Sequence, residues 1–150
     1  MYHFHDGEYE LEQTLDVNCP NLHGASQNHE FVAFGCSDGV LLTFEHEEDE
    51  HETSANTTDE HEHEVEFEAL KIANIAAIDG LRVGTIFGHE ASETFIGVAS
   101  QHGAAAKILV TIIPGIAPET AEMELLDWQP MTDASPVTYA FAYEAEQFLI

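Results

Sequence analysis

Basic residues are nearly absent. Three lysines and arginines stand against 29 aspartates and glutamates, a formal charge of −26 over 150 residues with histidine neutral. Nucleic acid and anionic membrane surfaces bind through positive patches, so this balance argues against both as partners. Cations, basic protein surfaces, or simply water and salt remain, and a halophilic or marine setting would give the same bias. No stretch is long and apolar enough to span a bilayer, so no membrane insertion is expected. The opening "YHFHDGEYELE" lacks the basic and apolar regions of a secretory signal.

Cysteine is scarce too. Cys19 and Cys36 are too few for a disulfide scaffold. Seventeen positions apart at the edges of neighbouring strand candidates, they read equally as one bridge or as two buried thiols. Signatures of catalysis are also missing. Ser26, Ser37 and Ser100 have no nucleophile-elbow context, there is no phosphate loop or dinucleotide fingerprint, and carboxylates are too plentiful for any pair to stand out. The chain does not read as an enzyme.

What is present is β-periodicity. With 44% hydrophobic residues the chain can build a core. "YELEQTL", "FVAFGC", "VLLTF", "VEFEALKI", "LRVGTIF", "TFIGVAS", "AKILVTII", "AEMELLDW" and "VTYAFAYEA" are short and rich in β-branched and aromatic residues, and no segment holds a helical stripe. The chain therefore reads as all-β. Three strands share an apolar–Glu–apolar–Glu pattern, with Leu11, Phe67 and Met123 at equal intervals of 56. In a second set, Phe31 to Phe95 spans 64 positions and Phe95 to Tyr139 spans 44. Removing an acidic insert of roughly 20 residues brings the first interval to about 44, the period of a four-stranded propeller blade.

The spacing thus predicts a partial β-propeller over residues 1–150, about three blades of four strands each. Residues 45–64 form its one long insertion, a His/Asp/Glu-rich mobile loop between the third and fourth strands of a blade. Loop length at a hairpin tip costs little closure entropy. Closed propellers take about 4–8 blades, so the pattern implies a piece of a longer protein or one needing partner chains.

That insertion, "HEEDEHETSANTTDEHEHE", holds His46, His51, His61 and His63 among carboxylates and no basic residue. Imidazole and carboxylate together suit zinc, nickel or copper(II), so the segment is a candidate metal collector; the alternative is an acidic linker. His3 and His5 form a further His-x-His pair beside Asp6. His23 in "CPNLHG" and His89 in "FGHE" fall at similar places in successive repeats. They read either as ligands converging at a channel mouth or as turn residues capping hairpins. His29 and His102 read as surface and turn residues.

Taken together, "CPNLHG", "VAFGCSDGVLLTF", the His/Glu/Asp-rich insertion and "VGTIFGHE" resemble the AztD-type zinc metallochaperones, bacterial periplasmic β-propellers associated with a zinc ABC transporter. The resemblance runs from roughly Leu11 to Trp128. It implies a periplasmic chain that binds Zn2+ and passes it to the transporter's periplasmic zinc-binding protein. It further implies a zinc site at His23 and His89, a Cys19–Cys36 disulfide suited to an oxidising compartment, and a collecting or handing-over role for His46, His51, His61 and His63. Two other classes stay open: an acidic structural or protein-interaction propeller without specific metal, and a fragment of a propeller enzyme.

Overall fold

The computed structural model describes residues 1–46, 66–115, 120–127, 129, 140–142 and 146–149. These are all-β apart from one 3-10 turn at Ala76–Ile78. The strands are β1 (Tyr2–His5), β2 (Glu8–Leu11), β3 (Ala25–Gln27), β4 (Phe31–Cys36), β5 (Gly39–His46) and β6 (Glu66–Ala73), followed by β7 (Arg82–Phe87), β8 (Phe95–Ser100), β9 (Ile108–Ile113), β10 (Glu122–Leu125), β11 (Ala140–Ala142) and β12 (Gln147–Leu149). They form two four-stranded antiparallel sheets, β3-β4-β5-β6 and β7-β8-β9-β10, and two two-stranded ones, β1-β2 and β11-β12. No sheet closes on itself among the described residues. Nor is any helix there long and apolar enough to cross a membrane.

Turn chemistry sets the hairpins. Asp6 and Gly7 join β1 to β2 with φ of 49° and 91°, the left-handed pair that a two-residue hairpin loop demands. Ser37 and Asp38 make the equally short β4–β5 turn, because Cys36 already pairs with Gly39. β5 and β6 then stay in register along their whole length, ending at His46 opposite Glu66. The segment expected as a loop over 45–64 thus starts beyond the last residues of β5, and residues 47–65 lie outside those described.

The core lies between the two four-stranded sheets. Ala33, Val40, Leu42 and Ile72 from the first meet Val83, Ile86, Phe95, Val110 and Ile112 from the second. What draws the sheets together is glycine. A Cβ on Gly35 would lie 2.0 Å from the Val83 carbonyl oxygen, one on Gly24 2.7 Å from that of Gly84, and one on Gly88 2.7 Å from that of Gln27. The β7 backbone therefore lies directly on β3 and β4, with a bulge at Gly84 between Val83 and Thr85.

The opposite face of the first sheet is crossed by the link from β2 to β3. Before the crossing, the Gln13 side chain imitates a strand at the open edge of β6: its Nε2 donates to the Phe67 carbonyl at 2.7 Å and its Oε1 accepts the Phe67 N–H at 2.9 Å. Lys71 donates to the Asn18 carbonyl and to Asp38, and the Ser37 N–H donates to the Pro20 carbonyl. Cys19 and Cys36 are disulfide-bonded, with Cα atoms 5.0 Å apart. Of the two readings left open by spacing, the bridge is the one found.

Two outcomes follow from this packing. Gly35→Ala should cost about 3 kcal/mol, since backbone rather than a pliable side chain occupies the space. Replacing Cys19 and Cys36 together by alanine should cost about 3 kcal/mol through the freed loop. Urea midpoints read both, the second also as the difference between oxidised and reduced protein; an unmoved midpoint would refute either.

Candidate metal-binding histidines

β7 is the edge strand of its sheet, so its outward N–H and C=O groups need partners when buried. Side chains around β3 supply them. His23 Nδ1 donates to the Gly84 carbonyl at 2.8 Å, and Ser26 Oγ accepts the Gly88 N–H at 2.8 Å. Asn28 Nδ2 donates to the Ser92 carbonyl at 2.9 Å. Asn28 also accepts the N–H groups of Glu30 and Phe31 on its Oδ1, which shapes the β3–β4 turn. The three contacts advance together along both strands, so β3 and β7 run parallel along a polar seam.

His23 belongs to this seam, and the bond fixes its chemistry. A carbonyl only accepts, so Nδ1 carries the proton, and the neutral ring keeps its lone pair on Nε2. That is the arrangement in which a second hydrogen bond orients a metal-ligating imidazole. The residue is exposed. His89 has the opposite polarity. Its Nδ1 accepts the Ala91 N–H at 3.1 Å, so the neutral ring is protonated on Nε2. Half-buried, it lies with its ring centroid 6.3 Å from that of Phe141. To act as a ligand it would first have to give up the Ala91 bond.

The two histidines do not hold corresponding places. His23 precedes β3, the first strand of its sheet, whereas His89 follows β7, the first strand of the next. The likeness of "HG" and "GH" has a packing cause, since Gly24 and Gly88 are both required by the seam but at opposite ends. From Gly84, where His23 is anchored, to His89 is five residues of extended chain, about 16 Å.

The other candidates are scattered. His46 closes β5, its backbone opposite Glu66. His51, His61 and His63 lie outside the described residues. His3 and His5 are exposed on β1, with ring centroids 6.3 Å apart and His5 Nδ1 3.6 Å from Asp6. His29 lies 3.3 Å from Glu30 on the surface. Among the described residues, no three His, Cys, Asp or Glu side chains stand close enough as placed to hold a metal ion. A groove of ≈ 580 Å³ opens at the end of the first sheet beside the base of the insertion, lined by Gln27, His29, Glu30, Thr43, Glu45 and Phe67 among others.

Ser26, Asn28 and Gln13 carry structural roles that composition did not reveal. The signal available was polar residues at alternate positions, 26 and 28, in a short strand beside a glycine. Among the described residues, Arg82 at the head of β7 buries an Nε without a hydrogen-bond partner, as Asn74 does its Oδ1. No family model, curated protein or solved structure matches the chain.

If the seam sets the role of His23, His23→Ala should cost about 1 to 2 kcal/mol, because the Gly84 carbonyl loses its donor. His23→Asn, whose amide can donate in place of Nδ1, should recover part of that. Equal thermal shifts for the two variants would discard the assignment.

Proposed function

We propose that the chain is part of a periplasmic β-propeller that binds zinc and hands it to the zinc-binding protein of an ABC transporter. The observation that carries this reading is the unbroken pairing of β5 with β6 up to His46 and Glu66. The sequence between them, residues 47–65, is rich in carboxylates and holds His51, His61 and His63, with no lysine or arginine. Imidazoles and carboxylates together suit the capture of a divalent cation.

Several features agree with the reading. Two four-stranded antiparallel meanders packed on each other, with their first strands parallel and adjacent, are what neighbouring blades would require. The Cys19–Cys36 bridge suits an oxidising compartment. The resemblance to AztD-type metallochaperones covers these same parts. Zinc would be the cargo, held by neutral imidazoles and carboxylates and released to a tighter site by ligand exchange. His23 has its Nε2 lone pair available for such a role, while His89 enters only by exchanging its present hydrogen bond.

A second reading, an acidic protein-interaction module, draws on one specific feature. Tyr2, Phe4, Tyr9 and Leu11 are each more than half exposed. Calorimetric titration with zinc decides between them, comparing the chain with a variant in which a short turn replaces residues 47–65. The zinc reading expects the variant to lose most of its bound zinc with its fold intact. Equal zinc uptake by both proteins would remove the insertion's metal role, and no uptake by either would leave the interaction reading.

A further inference from the structure

The β1-β2 hairpin sorts its side chains by chemistry. Its register places Tyr2 opposite Leu11 and Phe4 opposite Tyr9, so these four share one face, where the Phe4 and Tyr9 rings lie 4.9 Å apart. The same register places His3 opposite Glu10 and His5 opposite Glu8 on the other face. Sequence spacing alone pairs the histidines with each other. The fold adds the two carboxylates, from the far side of the Asp6–Gly7 turn.

We propose that this face is a divalent-metal site, with His3 and His5 as imidazole ligands and Glu8 and Glu10 as carboxylate ligands. The choice of zinc as its ion rests on the reading above; the geometry is independent of the inserted segment. Directly opposed residues in an antiparallel pair have Cβ atoms about 5 Å apart, and same-face neighbours on one strand about 7 Å. Four side chains rooted on such a rectangle can all reach one ion with bonds of about 2 Å.

As placed, the His3 and His5 rings are 6.3 Å apart and the four groups do not converge. All four are exposed, however, so side-chain rotation alone brings them together, with no change in the backbone. His23 and His89 lack that freedom, because each ring is tied to a backbone group. Asp6 adds a third carboxylate beside the pair, 3.6 Å from His5 Nδ1. The ladder of the hairpin continues past the strand ends, where the Met1 amino group donates to the Gln13 carbonyl and the Glu12 N–H donates to that of Met1 at 3.2 Å. A net charge of −26 draws cations to the surface in general, and this patch supplies the imidazoles that select among them.

The test uses the full chain with His46, His51, His61 and His63 all changed to asparagine, titrated with zinc chloride and followed by calorimetry and by the imidazole C–H proton signals. One zinc should bind, shifting the His3 and His5 signals. Adding His3→Asn and His5→Asn should weaken binding at least about tenfold, and adding Glu8→Gln and Glu10→Gln instead should weaken it severalfold. The circular dichroism spectrum should not change, because the altered side chains are exposed. Zinc binding by the parent chain but not by the four-asparagine variant would overturn this site and leave the inserted segment as the carrier. Binding that survives the loss of His3 and His5 would also overturn it. No binding by the parent chain would overturn both readings.

Discussion

Two sheets can pack with side chains interleaved between them, or they can bring backbone onto backbone where side chains are missing. Along β3, β4 and β7 this chain does the second, and most of its architecture depends on that contact. Gly24, Gly35 and Gly88 leave room that a single methyl group would fill. The approach also buries the edge of β7, and a buried edge needs hydrogen-bond partners. His23, Ser26 and Asn28 provide them. Missing side chains in one set of positions and polar side chains in another are thus two halves of one requirement. With the first strands fixed, Val40, Leu42 and Ile72 can close on Val83, Phe95 and Ile112 to complete the core.

The link from β2 to β3 does for the other face what the second sheet does for the core. Gln13, Lys71, the Pro20 carbonyl and the Cys19–Cys36 bridge tie it down at successive points. A glutamine amide serves a strand elsewhere too: Gln129 accepts the Leu109 N–H and donates back to its carbonyl. Sheets fastened on both faces leave chemistry to their margins. The exposed histidines follow that rule, on a hairpin face at His3 and His5, beside a turn at His29 and His102, and at the end of the seam at His23.

How much of this was legible depends on which kind of pattern carried it. Most of the strands were, because β-branched and aromatic runs bounded by "DG" and "SDG" turns leave little choice, but β1, β3 and β12 are short and carry no such run, and β2 stops at Leu11, short of the end of "YELEQTL". Facing was not. Phe31 and Phe95 hold equivalent places, each opening the second strand of its sheet, yet both pack into the same core, from opposite sheets. A strand buried on both faces is apolar throughout, so a one-residue slip leaves no trace in its sequence. The likeness of "HG" at His23 and "GH" at His89 misleads about repeat position for a related reason, since each glycine answers a packing demand across the seam. The disulfide lay between these cases: seventeen positions allowed it, and the crossing of the link over the sheet brought the two cysteines together.

The β5–β6 pairing also bears on how such a chain can change over time. Eight residue pairs, from Gly39 with Ala73 to His46 with Glu66, hold the two strands together. This pairing places no demand of its own on the composition of the peptide that joins the strands. Whatever stays constant there while the rest varies, whether a count of histidines or their spacing, records selection for something other than that pairing.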